Sequence, residues 1–284
     1  MDFRMNSPAG KAILARARNG DYAHPGEEDA IAAAVDGIPR DGIHRLLDVG
    51  CGRGGTADWF QRHGWGEVTG VDVDAASIGY ARDRYPEVRF MQQDACLMEP
   101  AQFHGFDLIY LFTALYAFPD QAEALRRMRM AARPGGILLL VDYTRPAGRP
   151  PPPELGPEIG NPIEFETVAD TLAAAGWKLQ TREDWSHRFA GWYEDLLERF
   201  ARERDWIVET YGPDWYGYVT GWYGTLGKTL AEGRLGGALV RATAQEPLRF
   251  AAEPLLRRTG AGEGAGLNPT VTGMLAYMQN CDYA

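Results

Sequence analysis

Between residues 44 and 145 the chain alternates short apolar runs with stretches of helical spacing. The runs are His44–Val49 (HRLLDV), Val68–Val73, Val88–Met91, Phe106–Phe112 (FDLIYLF) and Gly136–Val141 (GILLLV). Helical patterns such as Ala75–Arg84 and Gln121–Ala132 lie between them. Near-continuous apolar runs separated by helices predict parallel strands covered on both faces. The segment 146–162 holds seven prolines and predicts a linker or surface excursion, since proline cannot donate to a ladder or sit inside a helix. Another helix–strand unit follows. Glu164–Ala175 is amphipathic, Gly176 suits a helix C-terminus, and Trp177–Arg182 suits a strand. Residues 186–234 are helical and aromatic, and Gly236–Ala244 returns as a last strand.

These elements predict an α/β fold: a doubly wound, mostly parallel seven-stranded sheet with a helical lid. The expected organisation is a helical N-terminal segment at 1–40 with a loop at Gly20–Gly26, a core at 41–185, an aromatic lid at 186–234, a last core strand at 235–246 and a tail at 247–284.

Charge narrows the partners. A formal net charge of -10 repels phosphate backbones and anionic lipid heads, so neither nucleic acid nor membrane is the expected partner. A small-molecule acceptor is, and the numbers leave room for a homodimer. Three scattered cysteines, Cys51, Cys96 and Cys281, form no disulfide framework, which favours a reducing, cytoplasmic setting. No apolar stretch has the length of a membrane span, and no His/Cys/Asp cluster has metal-ligand spacing.

The densest motif is LLDVGCGRGGTADWF, residues 46–60. A strand ends at Asp48–Val49, a glycine turn follows, and a helix begins near Thr56. Glycines 50, 52 and 54 let the backbone reach φ > 0 and approach a ligand closely. Free N–H groups at the helix start can receive an anionic group, here a carboxylate. Gly50, Gly52 and Gly55 also satisfy GxGxxG, the dinucleotide fingerprint. Asp48 argues against that reading, because a carboxylate there repels a pyrophosphate and suits a ligand ammonium.

LDVGCGRGG resembles the first motif of class I S-adenosylmethionine (SAM)-dependent methyltransferases, in the branch that includes ubiquinone-biosynthesis and other small-molecule enzymes. Four further pieces resemble that family in order: VTGVDVD (68–74), MQQDAC (91–96), FDLIYLFTALYAF (106–118) and RPGGILLLVDY (133–143). The resemblance implies a Rossmann-like core and SAM as cofactor. It implies that Asp48, Gly50, Cys51, Gly52 and Gly54 form the cofactor turn, and that Asp72, with Val73, accepts from the ribose hydroxyls. Asp94 and Ala95 would meet adenine, Leu111 would line the methionine moiety, and Tyr22 would cover the site.

Methyl transfer from a sulfonium mainly needs alignment in a dry pocket, and an oxygen nucleophile also needs a base. Strand four ends in LFTALYAF rather than an NPPY-like motif, which disfavours DNA or protein-glutamine substrates. Among the histidines, His187, after the sixth strand, is the first candidate base and His24 the second. The aromatic segment 185–223 holds Trp192, Tyr193, Trp215, Trp222 and Tyr223 among others; it reads either as core packing or as an aromatic lid for a planar or cationic acceptor. The expected function is N- or O-methylation of a small molecule. An NAD(P)-dependent oxidoreductase and a non-catalytic SAM-binding regulator are the alternatives.

Overall fold

The computed structural model describes residues 3–245; the tail expected at 247–284, including Cys281, lies outside them. Parallel pairing joins β1 (Arg45–Val49), β2 (Glu67–Asp72), β3 (Arg89–Gln92), β4 (Phe106–Phe112) and β5 (Ala132–Arg145). A last strand, β8 (Gly236–Ala244), runs antiparallel between β5 and β7 (Trp177–Asp184). The order across the sheet is β3-β2-β1-β4-β5-β8-β7, and an eighth strand, β6 (Ile163–Glu164), pairs with the end of β5.

The register sorts side chains by period two. Leu46, Leu108, Tyr110, Leu139 and Val141 enter one core cluster, whereas Leu47, Ile109, Leu111, Leu138 and Leu140 enter the other. The first cluster is covered by α1 (Pro8–Ala17), α2 (Glu27–Val35), α3 (Gly55–Arg62), α4 (Ala75–Arg84), α7 (Ser186–Arg202), α8 (Arg204–Tyr211) and α9 (Pro213–Ala231). The second is covered by α5 (Gln121–Ala131) and α6 (Val168–Ala174).

Three elements differ from the sequence expectation. The helix expected from Glu164 begins only at Val168. Ile163 and Glu164 instead pair with Thr144 and Arg145, and the Arg145 guanidinium holds the Glu164 carboxylate at 2.6 Å. β5 runs well past Val141 through polar Asp142–Arg145, because Asp142 and Thr144 find register partners in Ala238 and Gly236. The proline-rich segment is no free excursion. Its 3-10 turn at Pro153–Ile159 buries Leu155 and Ile159, and the Asn161 N–H donates to the Tyr116 carbonyl at 2.7 Å.

The aromatic helices join the same core as the sheet. On α7, Phe189, Tyr193, Leu196 and Phe200 form a buried stripe at helical spacing. The Phe189 ring lies so close to Gly237 that a Cβ there would sit 2.4 Å from it. On α9, Trp215, Val219, Tyr223, Leu226 and Leu230 face inward.

Candidate functional site

A cavity of about 980 Å³ opens at the carboxyl ends of β1, β2 and β4, with Val49, Asp72 and Thr113 in its wall. β1 is flanked by β2 on one side and β4 on the other. This is the point where the strand order reverses, and in open α/β sheets ligands bind there. A volume of this size exceeds what one small metabolite requires and leaves room for two occupants.

The turn after β1 shapes the floor. Gly52 has φ +51°, and a Cβ built on it would meet nothing within 4 Å, so the turn presents bare backbone to open space. Gly54, at φ +88°, is glycine for another reason: a Cβ there would lie 2.6 Å from the Phe90 ring. The third glycine of the GxGxxG pattern, Gly55, is required by the Asp21 backbone 2.7 Å from where its Cβ would be. Packing, not a phosphate, therefore accounts for that match.

Asp72 ends β2 and lines the cavity. Its Oδ2 accepts from the Gly52 N–H at 2.8 Å and its Oδ1 from the Asp74 N–H at 2.9 Å. The carboxylate thus braces the glycine turn, and each oxygen keeps a lone pair for a ligand hydroxyl. Asp74 is the N-cap of α4, accepting from the Ala76 and Ser77 N–H groups. Beside Asp72, Val73 is 63% exposed within the cavity wall, an apolar surface awaiting a flat partner. Asp94 and Ala95 line the same end, with Asp94 Oδ1 capping the following 3-10 turn through the Cys96 N–H at 2.8 Å.

Asp48 is buried directly beneath the turn, and its Oδ2 has no hydrogen-bond partner. Burial, reinforced by the nearby Asp72 charge, holds its carboxyl well above the usual carboxylate range. The Tyr110 hydroxyl lies close enough to act on this carboxyl, and a buried acid below the glycine turn disfavours a pyrophosphate. The described residues therefore fit SAM: bare backbone at Gly52, the Asp72 carboxylate and apolar Val73, with the Asp48 carboxyl beneath the turn.

The structure thus brings Gly50, Gly52, Asp72, Val73, Asp94 and Ala95 to one cavity. Asp48 and Gly54 flank the glycine turn without lining the cavity, and the other candidates stand elsewhere. Cys51 is buried with its sulfur against Gly70, where a Cβ would come within 3.0 Å. Leu111 is a fully buried core residue of β4. Tyr22 is buried and donates its hydroxyl to Glu28 at 2.7 Å, outside the cavity wall. His24 is sealed between Thr56 Oγ1 at 3.0 Å and the Pro25 carbonyl at 3.2 Å, and burial pushes it down to about 3. It is a neutral packing residue. His187 is exposed near the start of α7 and takes no part in the cavity wall. Neither histidine lines the cavity where the base was expected, and no group of metal ligands occurs among the described residues.

The rest of the wall comprises Arg4–Pro8, Tyr116, Tyr143, Pro157, Glu158, Trp222 and Tyr223; sequence reasoning reached only Trp222 and Tyr223, as part of a candidate aromatic lid, and missed the others. Leu155 and Ile159, apolar residues spaced four apart among the prolines, were the available signal that this segment turns inward. Thr113, directly after β4, takes φ +47°, a left-handed conformation unusual for a β-branched residue at the cavity edge.

Residues 47–140 match a family model described as a methyltransferase domain. A trans-aconitate 2-methyltransferase of Azoarcus sp. (strain BH72) is 30% identical over 61% of this chain and 63% of its own length, so the chain spans less than two thirds of that relative. A solved structure of phosphoethanolamine N-methyltransferase 2 from Haemonchus contortus, in complex with SAM, superposes with a TM-score of 0.76 at 20% identity over 86% of this chain and 59% of that one. The [4+2]-cyclase SpnF shares the fold as well, with a TM-score of 0.69 at 24% identity over 84% of this chain and 93% of that one.

Proposed function

We propose that this chain, whose residues 47–140 match a methyltransferase-domain model, is a class I SAM-dependent methyltransferase that transfers a methyl group from SAM to a small-molecule acceptor bound in the same cavity. The observation that carries the proposal is the shared cavity itself: about 980 Å³, with the glycine turn and Asp72 at one end and Tyr143, Glu158 and Tyr223 at the other. SAM supplies an activated methyl group when bound. The chain's part is to hold and to exclude. Asp72 receives the ribose hydroxyls, Asp48 faces the ammonium, Val73 covers the base, and Asp94 and Ala95 border it. Helix α9 caps the acceptor half through Trp222 and Tyr223 and keeps water out. No helix among the described residues is long and apolar enough to cross a membrane. The acidic net charge of -10 supports a small metabolite over nucleic acid, and the three scattered cysteines favour a reducing, cytoplasmic setting.

SpnF superposes well and is named as a cyclase, so the fold alone does not fix the reaction. The test is therefore twofold. Calorimetry is expected to show S-adenosylhomocysteine binding with NAD at least a hundredfold weaker. Asp72→Ala is expected to lose about 2–4 kcal/mol of that affinity, since hydrogen bonds to a charged group contribute ~1.5–3 kcal/mol each before water compensates. Unchanged affinity in this variant overturns the assignment. Formation of S-adenosylhomocysteine from SAM with an acceptor panel separates transfer from binding alone.

A further inference from the structure

The turn that follows β4 is strained and held from several sides. At φ +47°, Thr113 keeps a left-handed conformation that the Cβ of an L-residue opposes. Its N–H donates to the Val141 carbonyl at 2.7 Å. The next two N–H groups, of Ala114 and Leu115, donate to Oδ2 of the fully buried Asp142 at 3.2 and 2.8 Å. Gln121 Nε2 donates to the Leu115 carbonyl at 2.9 Å, and the Asn161 N–H to the Tyr116 carbonyl at 2.7 Å. Gly160 permits that last approach, since a Cβ there would lie 2.4 Å from the Tyr116 oxygen. Backbone strain persists only where the surroundings over-determine it, and such places cluster where ligands are held.

The position of the turn says what the strain serves. Ala114 packs on the glycine turn, for a Cβ on Gly50 would lie 2.6 Å from the Ala114 methyl. Tyr116 packs edge-on against Tyr143, with ring centroids 5.0 Å apart. Thr113 lines the cavity between these two ends. Its side chain is half-buried, and its hydroxyl neither bonds to a described residue nor is sealed from solvent. Other polar groups of the wall are engaged: Ser7 Oγ accepts from the Gly10 N–H, Lys11 donates to Asp74 and Ser77, and Tyr143 bonds to Tyr193. The left-handed φ fixes the direction of the Thr113 Cα–Cβ bond, and with it the place of the hydroxyl in the wall.

We infer that Thr113 faces the transferable methyl group, its hydroxyl oxygen receiving the polarised C–H groups of a sulfonium methyl where the cofactor end of the cavity meets the aromatic end. The inference rests on the methyl-transfer reading for the identity of the cofactor. A sulfonium withdraws electrons from its methyl group, so an oxygen attracts that group more than it attracts an ordinary methyl. Valine at this position would fill the same volume and attract nothing.

Sinefungin tests this without an acceptor. In this SAM analogue a carbon bearing an amine replaces the sulfonium and its methyl, so its ammonium would donate to the Thr113 oxygen in a charge-assisted bond. Calorimetry of sinefungin and S-adenosylhomocysteine gives a ratio of affinities in which the contacts common to both ligands cancel. Thr113→Val is expected to lower sinefungin affinity relative to S-adenosylhomocysteine at least tenfold. Thr113→Ser should keep the ratio within threefold of the wild type. Thr113→Gly should lose the ratio as valine does, yet melt above Thr113→Val by roughly 2–4 °C, since glycine adopts the left-handed conformation without strain. S-adenosylhomocysteine affinity should change less than threefold in all three variants, which shows that the cofactor turn is intact. A ratio unchanged in the valine or glycine variant, a ratio lost equally in the serine variant, or a glycine variant that melts no higher than the valine one each overturns the inference. If S-adenosylhomocysteine does not bind the wild-type protein, the methyl-transfer reading falls and takes the inference with it. If it binds and the ratio ignores the hydroxyl, the role of Thr113 falls alone.

Discussion

At the residue scale the most informative side chain is Asp48, because it is buried, acidic and half-unpaired. Its raised pKa has a definite sign in linkage. A folded-state pKa above the unfolded one stabilises the fold below the ordinary carboxylate range, and that contribution is lost as pH rises through the folded value. A ligand ammonium beside the carboxylate favours the ionised form and pulls the pKa back down. Between the bound and free values, binding must then release a proton, and affinity must climb with pH by up to about tenfold per unit. Calorimetry of S-adenosylhomocysteine binding in phosphate and in Tris, whose ionisation heats differ, measures that proton directly. Asp48→Asn should abolish both the release and the pH slope. Buffer-independent heats in the wild-type protein would sink the pairing of Asp48 with the ammonium.

At the element scale α7 and α9 carry two jobs that one mutation each can separate. Phe189 is fully buried and presses on Gly237 of β8. Removing its ring leaves a cavity in the core, and Phe189→Ala is expected to cost about 3–5 kcal/mol of stability. Trp222 is only partly buried, and it lines the cavity. Trp222→Ala should cost roughly 1 kcal/mol or less of stability, in the range of substitutions away from the core, and instead weaken acceptor binding. Denaturant midpoints of both variants and their titration with the acceptor panel give the comparison, and a Trp222 cost as large as that of Phe189 would return α9 wholly to core packing. The same pair shows what was legible in the sequence. The helical stripe Phe189–Tyr193–Leu196–Phe200 announces burial by its spacing, and the strands announce themselves by apolar continuity. The glycine turn with Asp72 is equally legible, because one local run of chain builds it. The acceptor wall is legible only in part: Trp222 and Tyr223 stand in the aromatic segment, whereas Met5, Tyr143 and Glu158 come from three distant segments with no common period. Proline density at 146–162 masked the inward turn of Leu155 and Ile159. Sequence shows that a histidine is present but not that His24 is sealed or that His187 is exposed.

At the scale of the whole molecule the cavity depends on the N-terminal segment, whose residues 4–8 form part of its wall. One polar tie fastens α1 across the mouth: the Lys11 ammonium donates to Asp74 Oδ2 at 2.5 Å and to Ser77 Oγ at 2.7 Å. Burial is the largest single influence on Asp74 and pushes it up, but the hydrogen bonds from Lys11 and Ser77 together with the Lys11 charge outweigh it and hold Asp74 down to about 2. Because Asp74 is 36% exposed, solvent screening limits the tie to about 1 kcal/mol or less of global stability. That contribution is present above the unfolded value and is lost as pH falls toward 2. Its larger effect should be local. Ile13, Leu14 and Ala17 anchor the far end of α1 in the core, while the end at Ser7–Lys11 relies on this tie and on the Met5 N–H to Glu158. Lys11→Met keeps the aliphatic stem and removes only the charge. The variant should therefore melt within a few degrees of the wild type, yet be cut faster by protease within residues 3–12. Ligand ordering of this wall should show as protection. Saturating S-adenosylhomocysteine, at a hundred times its Kd, adds about 2.7 kcal/mol to the folded state and should slow cleavage in the wild type by roughly a hundredfold if cutting requires opening of the site. In Lys11→Met the protection should shrink, because the segment no longer depends on closure over the ligand to open and shut. Equal cleavage rates for the two proteins, with and without S-adenosylhomocysteine, would mean that α1 is fixed by its core contacts alone and that the cavity wall it forms is rigid.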